Sequence, residues 1–76
     1  MGRMIPHGWR AAFIDATRRV VLSKPGYRQP RRVYLKFDAF GLRRIDKHGN
    51  FCNDDICPIA PDTRAEVLAM CRERWT

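Results

Sequence analysis

Residues 31 to 37 alternate without a break, with Val33, Leu35 and Phe37 on one side and Arg32, Tyr34 and Lys36 on the other. Period-two spacing is that of a half-buried strand, because successive side chains of an extended backbone point to opposite faces. One face of this strand is therefore apolar and the other basic and aromatic. Weaker forms of the pattern predict strands near Trp9 to Ile14, Arg19 to Ser23, Leu42 to Ile45 and Asn50 to Cys52. Three similar segments join them, Ile14-Asp15-Ala16-Thr17-Arg18, Phe37-Asp38-Ala39-Phe40-Gly41 and Ile45-Asp46-Lys47-His48-Gly49. Each reads as a hairpin turn: an Asp in the first turn position accepts backbone N–H bonds from two or three residues on, and glycine supplies the left-handed conformation that follows. In the first turn Arg18 stands where the other two have glycine, at a cost of roughly 1 to 2 kcal/mol.

A second period appears near the C-terminus, where Val67, Leu68, Cys71 and Trp75 recur at helical spacing. This predicts a helix over about 62–75, with Thr63 capping it and Glu66 reaching back in a capping box. The stretch Trp9, Ala12, Phe13, Ala16, Val20 is also compatible with a helix. It lacks a good N-cap and ends in Val-Val-Leu, which puts the hairpin ahead. Two prolines and a glycine make Lys24 to Pro30 a loop, and 53–61 a second one. The expected fold is α+β, a small antiparallel β-meander of four to five short strands over about 9–52 with one C-terminal helix packed on a face. All 76 residues form one domain, of a size that buries about 60 to 65% of its unfolded surface.

Charge changes this picture because it is sorted by position. Residues 1 to 50 carry 12 Lys+Arg against 3 acids, and residues 51 to 76 carry 3 against 5. From Arg18 to Lys36 there are seven cations, Tyr27 and Tyr34, and no carboxylate. Cations neutralise phosphates and release counterions, and exposed rings offer stacking faces to unpaired bases. The expected interface is a nucleic-acid backbone site, DNA or RNA, built from Arg18, Arg19, Lys24, Arg28, Arg31, Arg32, Lys36, Arg43 and Arg44 for phosphates and from Tyr27 and Tyr34 for stacking. No recognition-helix, RNP-like or GXXG signature accompanies it, so shape or backbone rather than base sequence would be read. The bland account is a solvated face whose arginine stems cover the sheet, in a chain where arginine outnumbers lysine twelve to three through codon usage alone.

The alternative is a protein-binding inhibitor or adaptor, of the kind phages and mobile elements use against host defence or transcription, docking an arginine-rich face on an acidic or nucleic-acid-binding partner. Arg, Tyr and Trp dominate interface energetics, and Trp9 or Trp75 left exposed would serve it.

A zinc set of His48, Cys52, Cys57 and Cys71 is the candidate metal site, with Cys52 and Cys57 at a spacing used by structural zinc pairs. Cys57 to Cys71 breaks that pattern, which favours three reduced thiols, no disulfide and no cofactor. Asp54-Asp55 beside Asn53 could hold a divalent ion, and His7 stands in an N-terminus expected to be mobile. Neither comes with a nucleophile, base and orienter, so a non-enzymatic protein is expected. The longest uninterrupted aliphatic run is Val20-Val21-Leu22, which predicts no membrane span. The N-terminus lacks a secretory pattern, so the cytoplasm is the expected location.

Overall fold

The structure is a computed structural model and describes residues 5–52 and 59–76. The alternating segments form one antiparallel sheet of four strands, β1 (Arg10–Ile14), β2 (Arg19–Lys24), β3 (Arg31–Asp38) and β4 (Gly41–Ile45), in the order β1-β2-β3-β4. Helix α1 (Pro61–Trp75) follows, and the fold is α+β. The fifth expected strand shrinks to a single bridge between Ile45 and Phe51, supported by the Cys52 N–H bond to the Arg44 carbonyl at 3.1 Å. The N-terminal stretch is a hairpin and not a helix, with Ile14 opposite Arg19.

The hairpin turns form where they were expected, by partly different chemistry. Asp38 Oδ1 accepts the Phe40 N–H at 2.9 Å, and Gly41 takes φ 104°. Asp46 Oδ1 accepts the His48 and Asn50 N–H groups at 2.8 and 2.9 Å, and Gly49 takes φ 91°. Arg18 adopts the left-handed conformation, with φ 52°. Asp15 departs from the expected pattern, because its carboxylate leaves its own turn for the end of α1. Oδ1 accepts bonds from Arg74 Nε at 2.7 Å and Trp75 Nε1 at 2.8 Å, and Oδ2 accepts one from Arg74 Nη2 at 3.0 Å.

Antiparallel partners share a face, so register sorts the sheet's side chains. Ala11, Phe13, Val20, Leu22, Val33, Leu35, Phe37 and Leu42 face α1, which lays Val67 and Cys71, both fully buried, against them. Trp75 closes one end, its ring 5.7 Å from Phe13 edge-on and 6.1 Å from Phe37. Ile5, Trp9 and Ile59 complete the core, so Trp9 is buried and Trp75 half-buried, and neither stands fully exposed. Around His7 the chain is held against α1. Pro6–Gly8 is a tight 3-10 turn, His7 Nε2 lies 3.2 Å from Asp62, and the Pro6 carbonyl accepts the Thr63 hydroxyl at 3.4 Å.

That last bond corrects the capping box. Ala60 is the N-cap and Pro61 opens the helix, preset to helical φ, while Thr63 is fully buried one turn in. Asp62 in the first turn and Arg72 and Arg74 in the last complement the helix dipole.

The Asp15 clamp makes a pH prediction. The Arg74 guanidinium, and after it the Trp75 N–H, hold the Asp15 carboxyl below its ordinary value of 3.8. A carboxyl depressed in the folded state stabilises it above the unfolded pKa, and that contribution is lost as pH falls through the lower folded value. Asp15→Asn keeps the shape and loses the charge. Its melting temperature is expected to lie below that of the parent near neutral pH and to fall less between about pH 5 and pH 2. Parallel falls in the two proteins would assign the acid sensitivity to Asp38, Asp46 and Asp62, whose pKa values are also lowered.

Candidate nucleic-acid interface

The face of the sheet turned away from α1 carries three rows of side chains running across the strands. Nearest the β2–β3 loop, Arg10, Ser23 and Arg32 stand side by side. The middle row is Ala12, Val21, Tyr34 and Ile45, and the third is Ile14, Arg19, Lys36 and Arg43. Two cationic rows thus flank an apolar and aromatic one. On β3 the order is Arg32, Tyr34, Lys36, and the two cations lie about 13 Å apart along the strand.

Beyond the first row, Lys24 and Arg31 pair at the sheet's end on the helix side. There Lys24 Nζ sits 4.8 Å from the centre of the Trp9 ring and donates to the His7 carbonyl at 3.4 Å. Pro25 to Pro30 continues this end as a loop in which Tyr27 is 99% exposed and Arg28 is exposed. Arg10, Ser23, Lys24, Pro25 and Pro30 line a shallow cleft between loop and sheet. Gly26 makes the loop's shape possible, since a Cβ there would lie 2.1 Å from the Gln29 carbonyl oxygen.

The expected cations divide by environment. Arg28, Arg31 and Arg32 are exposed, as is Arg18 in its turn at the far end of the sheet. Arg43 is partly neutralised, because its guanidinium pairs with Asp38 and stacks 3.9 Å from the Phe51 ring centre. The same guanidinium is the main cause of the lowered Asp38 pKa. Arg44 does not join the open face: it lies opposite Leu35 on the helix side and is half-buried. Arg19 is half-buried too. Its guanidinium runs to the Asp46–Gly49 turn, where a Cβ on Gly49 would stand 2.5 Å from Nη2, and its Nε is buried without a hydrogen-bond partner among the described residues.

Two residues of this surface were missed by the sequence reading. Arg10 opens β1 and enters the first row only through its pairing with Ser23, a register set by the Asp15–Arg18 turn. Phe51 belonged to the expected fifth strand, and its bridge to Ile45 puts its ring beside Arg43 and 6.0 Å from Lys36 Nζ. Both were legible in principle, by carrying the hairpin registers through to the neighbouring strands.

The zinc set does not assemble among the described residues, where no three of His, Cys, Asp and Glu come together. Cys71 is fully buried against the sheet, and burial pushes its thiol up to about 11. His48 is exposed in its turn, and Cys52 Sγ contacts the Asn50 carbonyl at 3.8 Å. Cys57, Asp54 and Asp55 lie outside the described residues. No helix among those residues is long and apolar enough to cross a membrane. In comparisons with known proteins the chain matches no family model, no curated protein and no solved structure.

Proposed function

We propose that this protein is a non-enzymatic nucleic-acid-binding domain that grips the phosphate backbone with the open face of its sheet and the β2–β3 loop. The supporting observation is the cross-strand arrangement, two rows of cations flanking Tyr34, continued at the loop end by Lys24, Arg28 and Arg31. None of Arg10, Lys24, Arg28, Arg31 and Arg32 bonds to a carboxylate among the described residues. Cations gathered this way repel one another and have no carboxylate to offset that repulsion, whereas a polyanion compensates all of them together. Tyr27 and Tyr34 offer rings to unpaired bases, which favours single-stranded over duplex partners. A reducing compartment such as the cytoplasm suits the cysteines, and no cofactor is called for.

Replacing Arg31 and Arg32 together by alanine tests the site, because both side chains are exposed and the core does not use them. Affinity for a single-stranded oligonucleotide is expected to fall at least tenfold at low salt, with the melting temperature within a few degrees of the parent. An unchanged affinity in a folded double variant would place the site elsewhere.

One patch favours a second reading, docking on an acidic protein surface. Arg43 lies between Phe40, 86% exposed, and Phe51, 52% exposed, at 5.5 and 3.9 Å from their ring centres. Arginine framed by aromatic rings is typical of interface anchors.

A further inference from the structure

We infer that the row Arg19, Lys36, Arg43 takes a phosphomonoester, so that the open face recognises a nucleic-acid strand by a phosphorylated end; the inference rests on the backbone-binding reading above. The register sets these three cations directly beside one another on β2, β3 and β4, about 5 Å apart from strand to strand. Like charges in facing positions oppose sheet formation, and each of the three side chains is only half-exposed, where screening by water is reduced. An independent sign points the same way. Among the described residues Arg19 Nε is a buried donor with no acceptor, the kind of group whose desolvation an anion would offset.

Charge and surroundings choose the anion. Among the described residues, three cations and the one carboxylate paired with them, Asp38 on Arg43, leave two positive charges. An internal phosphodiester brings one negative charge, while a phosphomonoester at neutral pH brings about 1.5 to 2. The row is also bounded. Gly49 closes against the Arg19 guanidinium, and Phe51 covers the side of Lys36 and Arg43. Asp38, two residues beyond Lys36 on the same face, stands in the path of any strand that continued past it. A backbone entering from the Arg32 side crosses the uncharged Tyr34 row, meets this row of cations and then a carboxylate, which is the electrostatic profile of a terminus.

The test is calorimetric titration of the full chain with one single-stranded sequence in three forms: 5′-phosphorylated, 3′-phosphorylated, and hydroxyl at both ends. One phosphorylated form is expected to bind about tenfold more tightly than the hydroxyl form. Lys36→Gln should abolish that preference, and Lys47→Gln, which removes an exposed charge outside the row, should retain it. Equal affinity for all three forms overturns the terminal-phosphate inference and leaves the backbone reading standing. A preference that survives Lys36→Gln also overturns it, because the extra charge is then read elsewhere. Absence of binding by every form removes both.

Discussion

Leu35→Ala is expected to cost about 2 to 5 kcal/mol and to shift the denaturation midpoint sharply downward. Leu35 is 1% exposed at the centre of β3, opposite Val20 and among the side chains that meet α1. Removing its branched end opens a cavity in a core that has few layers to collapse into it. A chain of 76 residues has a total stability of roughly 4 to 11 kcal/mol by per-residue scaling, so one such cavity consumes a large share. Chemical denaturation followed by circular dichroism measures the loss, and alkylation of Cys71 reports it independently. That thiol is fully buried with its pKa raised to about 11, so it reacts only when α1 leaves the sheet. Leu35→Met, which conserves volume, should cost under about 1.5 kcal/mol. An unchanged midpoint in Leu35→Ala would mean that Leu35 is not part of the packed core, and ready alkylation of Cys71 in the folded parent would mean that α1 does not pack on this face.

The second large effect is on binding. Reversing two charges of the open face, Arg32→Glu with Lys36→Glu, is expected to lower affinity for single-stranded nucleic acid by about 100-fold, on the order of tenfold per lost charge-assisted contact. The accompanying change in stability carries the sharper information. Lys36 stands between Arg19 and Arg43 in register, so a glutamate there replaces two repulsions by two attractions. The melting temperature of the double variant should therefore hold or rise while binding collapses. A residue kept at a cost to the fold and needed by the ligand behaves in this way. Parallel loss of both properties would mark Lys36 and Arg32 as structural, with their stems covering the sheet.

The alternation of β3, the turns at Asp38 and Asp46 and the apolar stripe of α1 made the architecture readable in the sequence, because each is a local signal fixed by backbone geometry. Long-range partners were not readable. Asp15 looked like a turn residue and serves as the anchor of α1, since no local pattern records that Arg74 and Trp75 arrive beside it. Thr63 looked like a cap and is a buried residue bonded to the Pro6 carbonyl, because Pro61 starts the helix earlier. The cation list was drawn from composition and was blind to face. Periodicity assigned Arg32 and Lys36 to the open side, but adjacent arginines such as Arg43 and Arg44 must point opposite ways, and only the pairing of Arg44 with Leu35 shows which turns to the helix. Arg10 and Phe51 were lost for the complementary reason, being isolated in sequence and brought to the surface by register.

The central claim is that the open face holds a nucleic-acid backbone, and titrating the purified protein with matched single- and double-stranded DNA and RNA over a series of salt concentrations tests it most directly. Binding is expected to be tightest to a single strand, with log affinity falling linearly in log salt at a slope of about 0.7 per phosphate engaged. Several phosphates should be counted in this way, in keeping with the two cationic rows. No measurable binding to any of the four at low salt would contradict the account, since a +7 domain with its cations gathered on one face and end has no electrostatic reason to ignore a polyanion there.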